Sequence, residues 1–178
     1  MFKQLLALYE VIEKNKSEFE AFGLKGDFFI DVYRTQPFNP ELYEYFSLPA
    51  IFVDYRMTGQ GRNQPRLVTL TLHIVVDELP DASNIAEQTE AGLQRFNYCL
   101  LLQSILEGTT LNKTTRLKFI SEDIIDERVV NYHTQTYEFE VHLQDMLGDV
   151  ERIFGEFERL NIFGNLVKSF RNKNRAKL

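Results

Sequence analysis

The residues with chemistry to offer are three histidines, one cysteine, a dense acidic turn and two basic segments. His73 and His142 fall on the polar faces of segments that alternate like strands, and His133 lies near the start of the second of these. Two imidazoles on neighbouring strands can share a metal ion. No H-x-x-x-H, H-x-H or paired-cysteine spacing accompanies these, so they are expected to be solvated strand residues with no metal bound. Glu122, Asp123, Asp126 and Glu127 crowd one strand end. A glycosidase sets two carboxyls across a pocket, one with a raised pKa, whereas four in a single turn are expected to form a solvated bend. Cys99 lies in the most apolar stretch of the chain with no histidine near it in sequence. It is expected to be a small buried hydrophobe and not a nucleophile. The serines lack a G-x-S-x-G context. Gly59-Gln60-Gly61 lacks the lysine and hydroxyl of a phosphate loop and lies between two strands. The residues therefore assign no catalytic group, metal or cofactor, and the expectation is a protein that is not an enzyme.

The basic segments point to partners instead. Arg56, Arg62 and Arg66 surround the Gly59–Gly61 connector, and this stretch, from Met57 to Pro65, is expected to be a mobile partner-contacting loop. From Val167 onward the chain carries Lys168, Arg171, Lys173, Arg175 and Lys177 and no acid. Apart from those five cations, 15 basic residues face 26 acidic ones, a net charge of −11 on the body. A body of that sign repels nucleic acid, so any such contact must run through the C-terminal tail, where Phe170 offers a single stacking ring.

At 178 residues with 44% hydrophobic content, the chain has material for one ordinary core without a metal or disulfide staple. The lone cysteine excludes an intrachain disulfide and fits a reducing compartment. The apolar run at Met1–Leu8 is too short for a signal peptide and is interrupted by Glu10, Glu13 and Lys14. No segment reaches the roughly 18–20 apolar residues that span a bilayer, so a soluble cytoplasmic protein with no membrane partner is expected.

The elements that must position these residues follow from periodicity. Phe2–Phe22 carries Leu5, Leu8, Tyr9, Ile12 and Phe19 at helical spacing and stops at Gly23. A short strand is expected over 27–33, a helical turn at 41–46, and strands over 49–56 and 66–76. In the last of these Val68, Leu70, Leu72, Ile74 and Val76 alternate with Thr69, Thr71 and His73. Asn84 and Glu87 form a capping box for a helix running to Glu107, with Leu93, Phe96, Leu100 and Leu101 inward and Gly108 as its stop. Its second half, Cys99–Leu102 with Ile105 and Leu106, is apolar nearly all round and should be covered on more than one side. Strands over 116–125 and 132–143 follow. The first sets Leu117, Phe119 and Ser121 against Ile120 and Ile124, and the second turns Gln135, Tyr137, Phe139, Val141 and Leu143 inward. An amphipathic helix begins at Gly148. The fold class is α+β: an antiparallel sheet of four or slightly more strands against a long helix and an N-terminal helix. Residues 1–148 form the main domain, and 149–178 form a helical and basic extension.

The order helix, strand pair, long helix, strand pair, with Leu48-Pro49-Ala50-Ile51-Phe52-Val53-Asp54-Tyr55 opening the first pair and Tyr137-Glu138-Phe139-Glu140-Val141-His142-Leu143 closing the sheet, resembles the phage tail-terminator and tail-completion (minor tail) family. The resemblance spans about residues 1–145. The 26–47 segment is longer than the family pattern, and the chain after Gly148 is an extension. Membership would imply a homo-oligomeric ring, of which a hexamer is one form, that caps the tail tube and joins it to neck proteins. The protein would then reside in the bacterial cytoplasm and the virion tail. An alternative is a nucleic-acid-associated adaptor acting through the basic tail.

Overall fold

A computed structural model describes residues 1–39, 46–61, 63–76, 83–125 and 131–146. The chain opens with α1 (Phe2–Lys14), which buries Gln4, Leu8 and Ile12. The single helix expected over 2–22 is in fact two. Asn15 leaves helical geometry, its side-chain amide donating to Val11 O, and α2 (Lys16–Ala21) follows. Gly23 then takes positive φ, and the Gly23 and Leu24 amides donate back to Glu20 O and Phe19 O. That pair of bonds is the Schellman closure that a glycine at this position permits.

Three strands come next: β1 (Phe29–Val32), β2 (Ala50–Gly59) and β3 (Arg66–Val76). After α3 (Thr89–Leu106) come β4 (Lys118–Ile125), β5 (Asn131–Val141) and a single helical turn, α4 (Leu143–Met146). The sheet has five strands in the order β1-β2-β3-β5-β4. It is mixed: β1 runs parallel to β2, and the remaining pairs are antiparallel. The α+β class holds, but an all-antiparallel sheet does not. A parallel pair needs a crossover connection longer than a hairpin turn, and the chain between Val32 and Ala50 supplies it.

Alternation decides the two faces of the sheet. Val68, Leu70, Leu72, Ile74 and Val76 of β3 join Tyr137, Phe139 and Val141 of β5 in the main core beneath the helices. The opposite face holds a smaller apolar cluster at one end, built on Ala50, Phe52, Val75 and Tyr132. The rest of that face is polar, with Thr69 opposite Glu138, Thr71 opposite Thr136 and His73 opposite Thr134.

Several boundaries differ from expectation. α3 begins at Thr89 rather than after Asn84, because the Thr89 hydroxyl donates to Ser83 O and Ala86 O and closes a separate turn ahead of the helix. Leu143 belongs to a helical turn and is exposed rather than inward. A bulge between Phe119 and Ser121 resets the alternation of β4, so Phe119 pairs with inward Tyr137 while Ser121 pairs with outward Thr136. The helix expected after Gly148 and the turn at 41–46 fall outside the described residues, in whole or in large part.

α3 also turns a different face inward. Gly92, Cys99 and Leu106, spaced by seven, are buried with Tyr98 and Leu102. Leu93 and Leu100 point outward, Leu100 being 60% exposed. A residue one position on is rotated about 100° around the helix, which is enough to move Leu100 off the stripe that Cys99 occupies. Leu102→Ala should therefore cost about 2–5 kcal/mol in chemical denaturation, while Leu100→Ala should stay within about 0.5 kcal/mol. Equal costs at the two positions would show that the helix packs on the other stripe.

Candidate functional site

Under α3 the fold gathers side chains that the sequence scatters over three elements. Ile124 stands opposite His133 and Glu122 opposite Gln135 in the β4–β5 ladder, so all four share the helix-facing side. Cys99 meets them from α3. One ligand-type atom from each of Cys99, Glu122 and His133 lies within 4.8 Å of the other two. Cys99 and His133 are buried, His133 at 2% exposure, and the Glu122 side chain is 26% exposed.

Gln135 organises the group. Its carboxamide nitrogen donates to Cys99 O and to Glu122 Oε2, both at 2.8 Å, while its oxygen accepts from the Tyr137 hydroxyl at 2.9 Å. The reverse orientation would set the amide oxygen against a carbonyl and a carboxylate, so the network itself fixes which end is nitrogen. With Oε2 so held, Oε1 of Glu122 faces Nδ1 of His133 at 3.5 Å. That Nδ1 is buried, and its contact with Oε1 is longer than a normal hydrogen bond and lacks the geometry of one. The Phe96 ring packs edge-on to the imidazole with centroids 5.7 Å apart.

The electrostatics favour the neutral forms of Cys99 and His133. Burial pushes the Cys99 thiol far above its ordinary value, and the adjacent Glu122 carboxylate, which accepts its hydrogen bond, pushes it further. Burial lowers the His133 pKa, Glu122 opposes this, and nearby Arg95 adds to it. A cysteine nucleophile needs its imidazole to take the thiol proton. Here the carboxylate sits at the thiol instead, and Cys99 stays protonated. What the trio does offer is sulfur, nitrogen and oxygen donors converging from three elements.

A second group lies on the opposite face. The His73 ring stacks on Tyr33 with centroids 3.8 Å apart and planes 6° from parallel. Its Nδ1 is hydrogen-bonded to the Tyr132 hydroxyl. Burial lowers the His73 pKa against the opposing pull of Asp54, and burial together with Tyr33 raises that of Tyr132.

These findings correct the expectation of solvated histidines for His133, which is buried, and for His73, which is half-buried; His142 alone is exposed. Glu122 likewise is not part of a solvated bend, since it is a strand residue held by Gln135. Asp123 is exposed, and Asp126 and Glu127 lie outside the described residues. Cys99 is buried as expected, but with a histidine beside it that proximity in sequence could not reveal. A signal was present: His133 has the same parity as inward Gln135 and Tyr137.

Among the candidate basic residues, Arg56 is exposed on β2, and Arg66 is half-buried at the start of β3. The ladder runs out to Gly59 opposite Arg66, so Met57–Gly59 is strand and not loop. Arg62, Lys168, Arg171, Lys173 and Arg175 lie outside the described residues. No helix among the described residues is long and apolar enough to cross a membrane. No protein-family model matches the chain, and no curated protein matches it.

Two outcomes follow. Gln135→Leu strands the Glu122 carboxylate and the Tyr137 hydroxyl, and should cost about 1–3 kcal/mol in denaturant unfolding; a neutral result would show that the network carries no stability. His73 is held neutral in the fold, whereas the unfolded chain takes up a proton below the ordinary imidazole value of 6.5. The unfolded state then binds more protons, and stability falls as pH drops from 6.5 toward the depressed folded value. Thermal melts of His73→Gln should show a shallower slope in that window than the parent, and identical slopes would remove His73 as a cause.

Proposed function

We propose that this chain is a structural subunit that associates with copies of itself through its sheet edges, as a phage or prophage tail protein does when it forms a ring that caps the tail tube and meets the neck. The observation that carries this reading is a pair of complementary edges that no further strand covers among the described residues. β1 covers β2 only from Ala50 to Val53. Beyond Val53, residues Asp54–Gly59 pair with β3 on one side and with no strand among the described residues on the other, and all are exposed. The far edge of the sheet is β4.

The two edges match in chemistry. On the helix-facing side, β2 exposes Tyr55 and Met57, and β4 exposes Ile124 at 63%. On the other side, β2 carries Arg56 opposite Thr69, and β4 carries Asp123 opposite Thr134. A bare apolar edge invites pairing, and natural monomers blunt theirs. A contact between two different patches repeats head to tail and closes into a ring when the rotation allows. The resemblance to tail-terminator proteins in element order supports the same reading, and a protein of this kind is not an enzyme.

Native mass spectrometry and light scattering test the proposal. The parent chain should associate, less strongly as salt screens the ion pair. Arg56→Glu should weaken association while its melting temperature holds, and adding Asp123→Arg should restore it. A chain that stays monomeric at its highest soluble concentration, alone and with tail-tube protein, overturns the reading. So does association that ignores both charge reversals.

A further inference from the structure

We propose that Cys99, Glu122 and His133 form a binding site for a thiophilic divalent transition ion of the zinc class, with a fourth position left for water. The donor set is thiolate, imidazole and carboxylate, each of which borderline-soft zinc takes as a ligand, and sites with three protein ligands keep the fourth position for water. Tetrahedral zinc holds its donors roughly 3.3–3.8 Å apart, given metal–ligand bonds of about 2.0–2.3 Å. Glu122 Oε1 and His133 Nδ1 already stand at 3.5 Å. All three residues bring a donor atom within 4.8 Å of the other two, about an ångström from the span such a site requires.

An independent observation points the same way. His133 Nδ1 is buried, and among the described residues it has the long contact to Glu122 Oε1 at 3.5 Å but no hydrogen bond of normal geometry. Leaving such a group unpaired destabilises a fold, and native structures seldom keep one without a ligand, water or function to account for it. A cation between Nδ1, Oε1 and Sγ satisfies it. The surrounding residues are those a metal site needs around its ligands: Gln135 fixes the carboxylate through Oε2, which turns Oε1 toward His133, and is itself held by Tyr137.

Charge balance completes the case. Binding transfers the Cys99 proton to solvent and forms a metal–sulfur bond. The dication then meets one thiolate and one carboxylate, so the buried complex is neutral. The same step removes the penalty that keeps the thiol protonated without metal.

The test uses the full chain titrated with Zn²⁺ and with Co²⁺ near neutral pH. One ion should bind per chain, with one proton released, read from calorimetry in buffers of different ionisation heat. Co²⁺ should give a thiolate-to-metal charge-transfer band, and since the chain has a single cysteine, that band reports Cys99 without any mutant. Zn²⁺ should raise the melting temperature and a chelator should reverse the rise. Cys99→Ser and His133→Gln should each weaken Zn²⁺ binding about tenfold or more, with circular dichroism confirming the fold. The absence of the band at saturating Co²⁺ overturns the proposal even if both variants fail to fold. Unchanged Zn²⁺ affinity in a folded Cys99→Ser chain does so too, by showing that the ion sits on other groups.

Discussion

The register of β3 against β5 is the constraint from which the rest of the structure follows. Eleven facing pairs, from Arg66 opposite Val141 to Val76 opposite Asn131, fix which residues look toward the helices. Strand side chains alternate, so a slip of one residue would move Tyr137, Phe139 and Val141 out of the core and the threonines into it. Loss of that much apolar burial, at about 1.5–3 kcal/mol for each large side chain, rules out the alternative. The same register carries Gln135 and His133 inward as passengers. Two polar side chains are thereby committed to a buried position, and the network around Gln135 is how the fold accommodates one of them.

Much of the fold was legible because it rests on period. The apolar set of β3 and the inward set Gln135, Tyr137, Phe139 and Val141 of β5 read directly from alternation, as did Leu8, Ile12 and Phe19 from helical spacing. Period fails where geometry changes within an element. The bulge at Phe119–Ser121 shifts one strand by a residue without any mark in its composition, and Leu143 continues the alternation of β5 although the backbone has already turned. Leu100 misled for a related reason: in a stretch as apolar as Cys99–Leu102, hydrophobicity cannot say which stripe faces the sheet. The parallel pairing of β1 was not legible either, since pairing direction depends on where the crossover returns the chain.

The buried trio was hidden for another reason. Cys99, Glu122 and His133 each admit a bland reading when considered on their own element, and only the ladder and the helix placement bring them together. Proximity along the chain was the wrong criterion for Cys99, whose histidine arrives from a strand 34 positions later. Parity was the better guide. His133 lies in step with Gln135, and two polar residues on an inward face imply a polar counterpart across it.

Glu122 links the buried cluster to the edge of the sheet. β4 has β5 as its one partner in the sheet order, so its position depends on one ladder and on side-chain ties to the helix layer. The Glu122–Gln135 bond, with Gln135 in turn bound to Cys99 O, is such a tie, joining β4 to α3 through β5. Asp123 and Ile124 follow Glu122 directly, and they are the residues that present opposite chemistry on the two faces of that edge. An ion held by Cys99, Glu122 and His133 would cross-link the same three elements and fix the edge strand in one place. An edge that is already ordered loses less freedom when a second chain pairs with it, which is how preorganisation raises affinity without adding a contact. The buried cluster and the exposed edge would then be two ends of one strand, with the first setting how rigidly the second is offered.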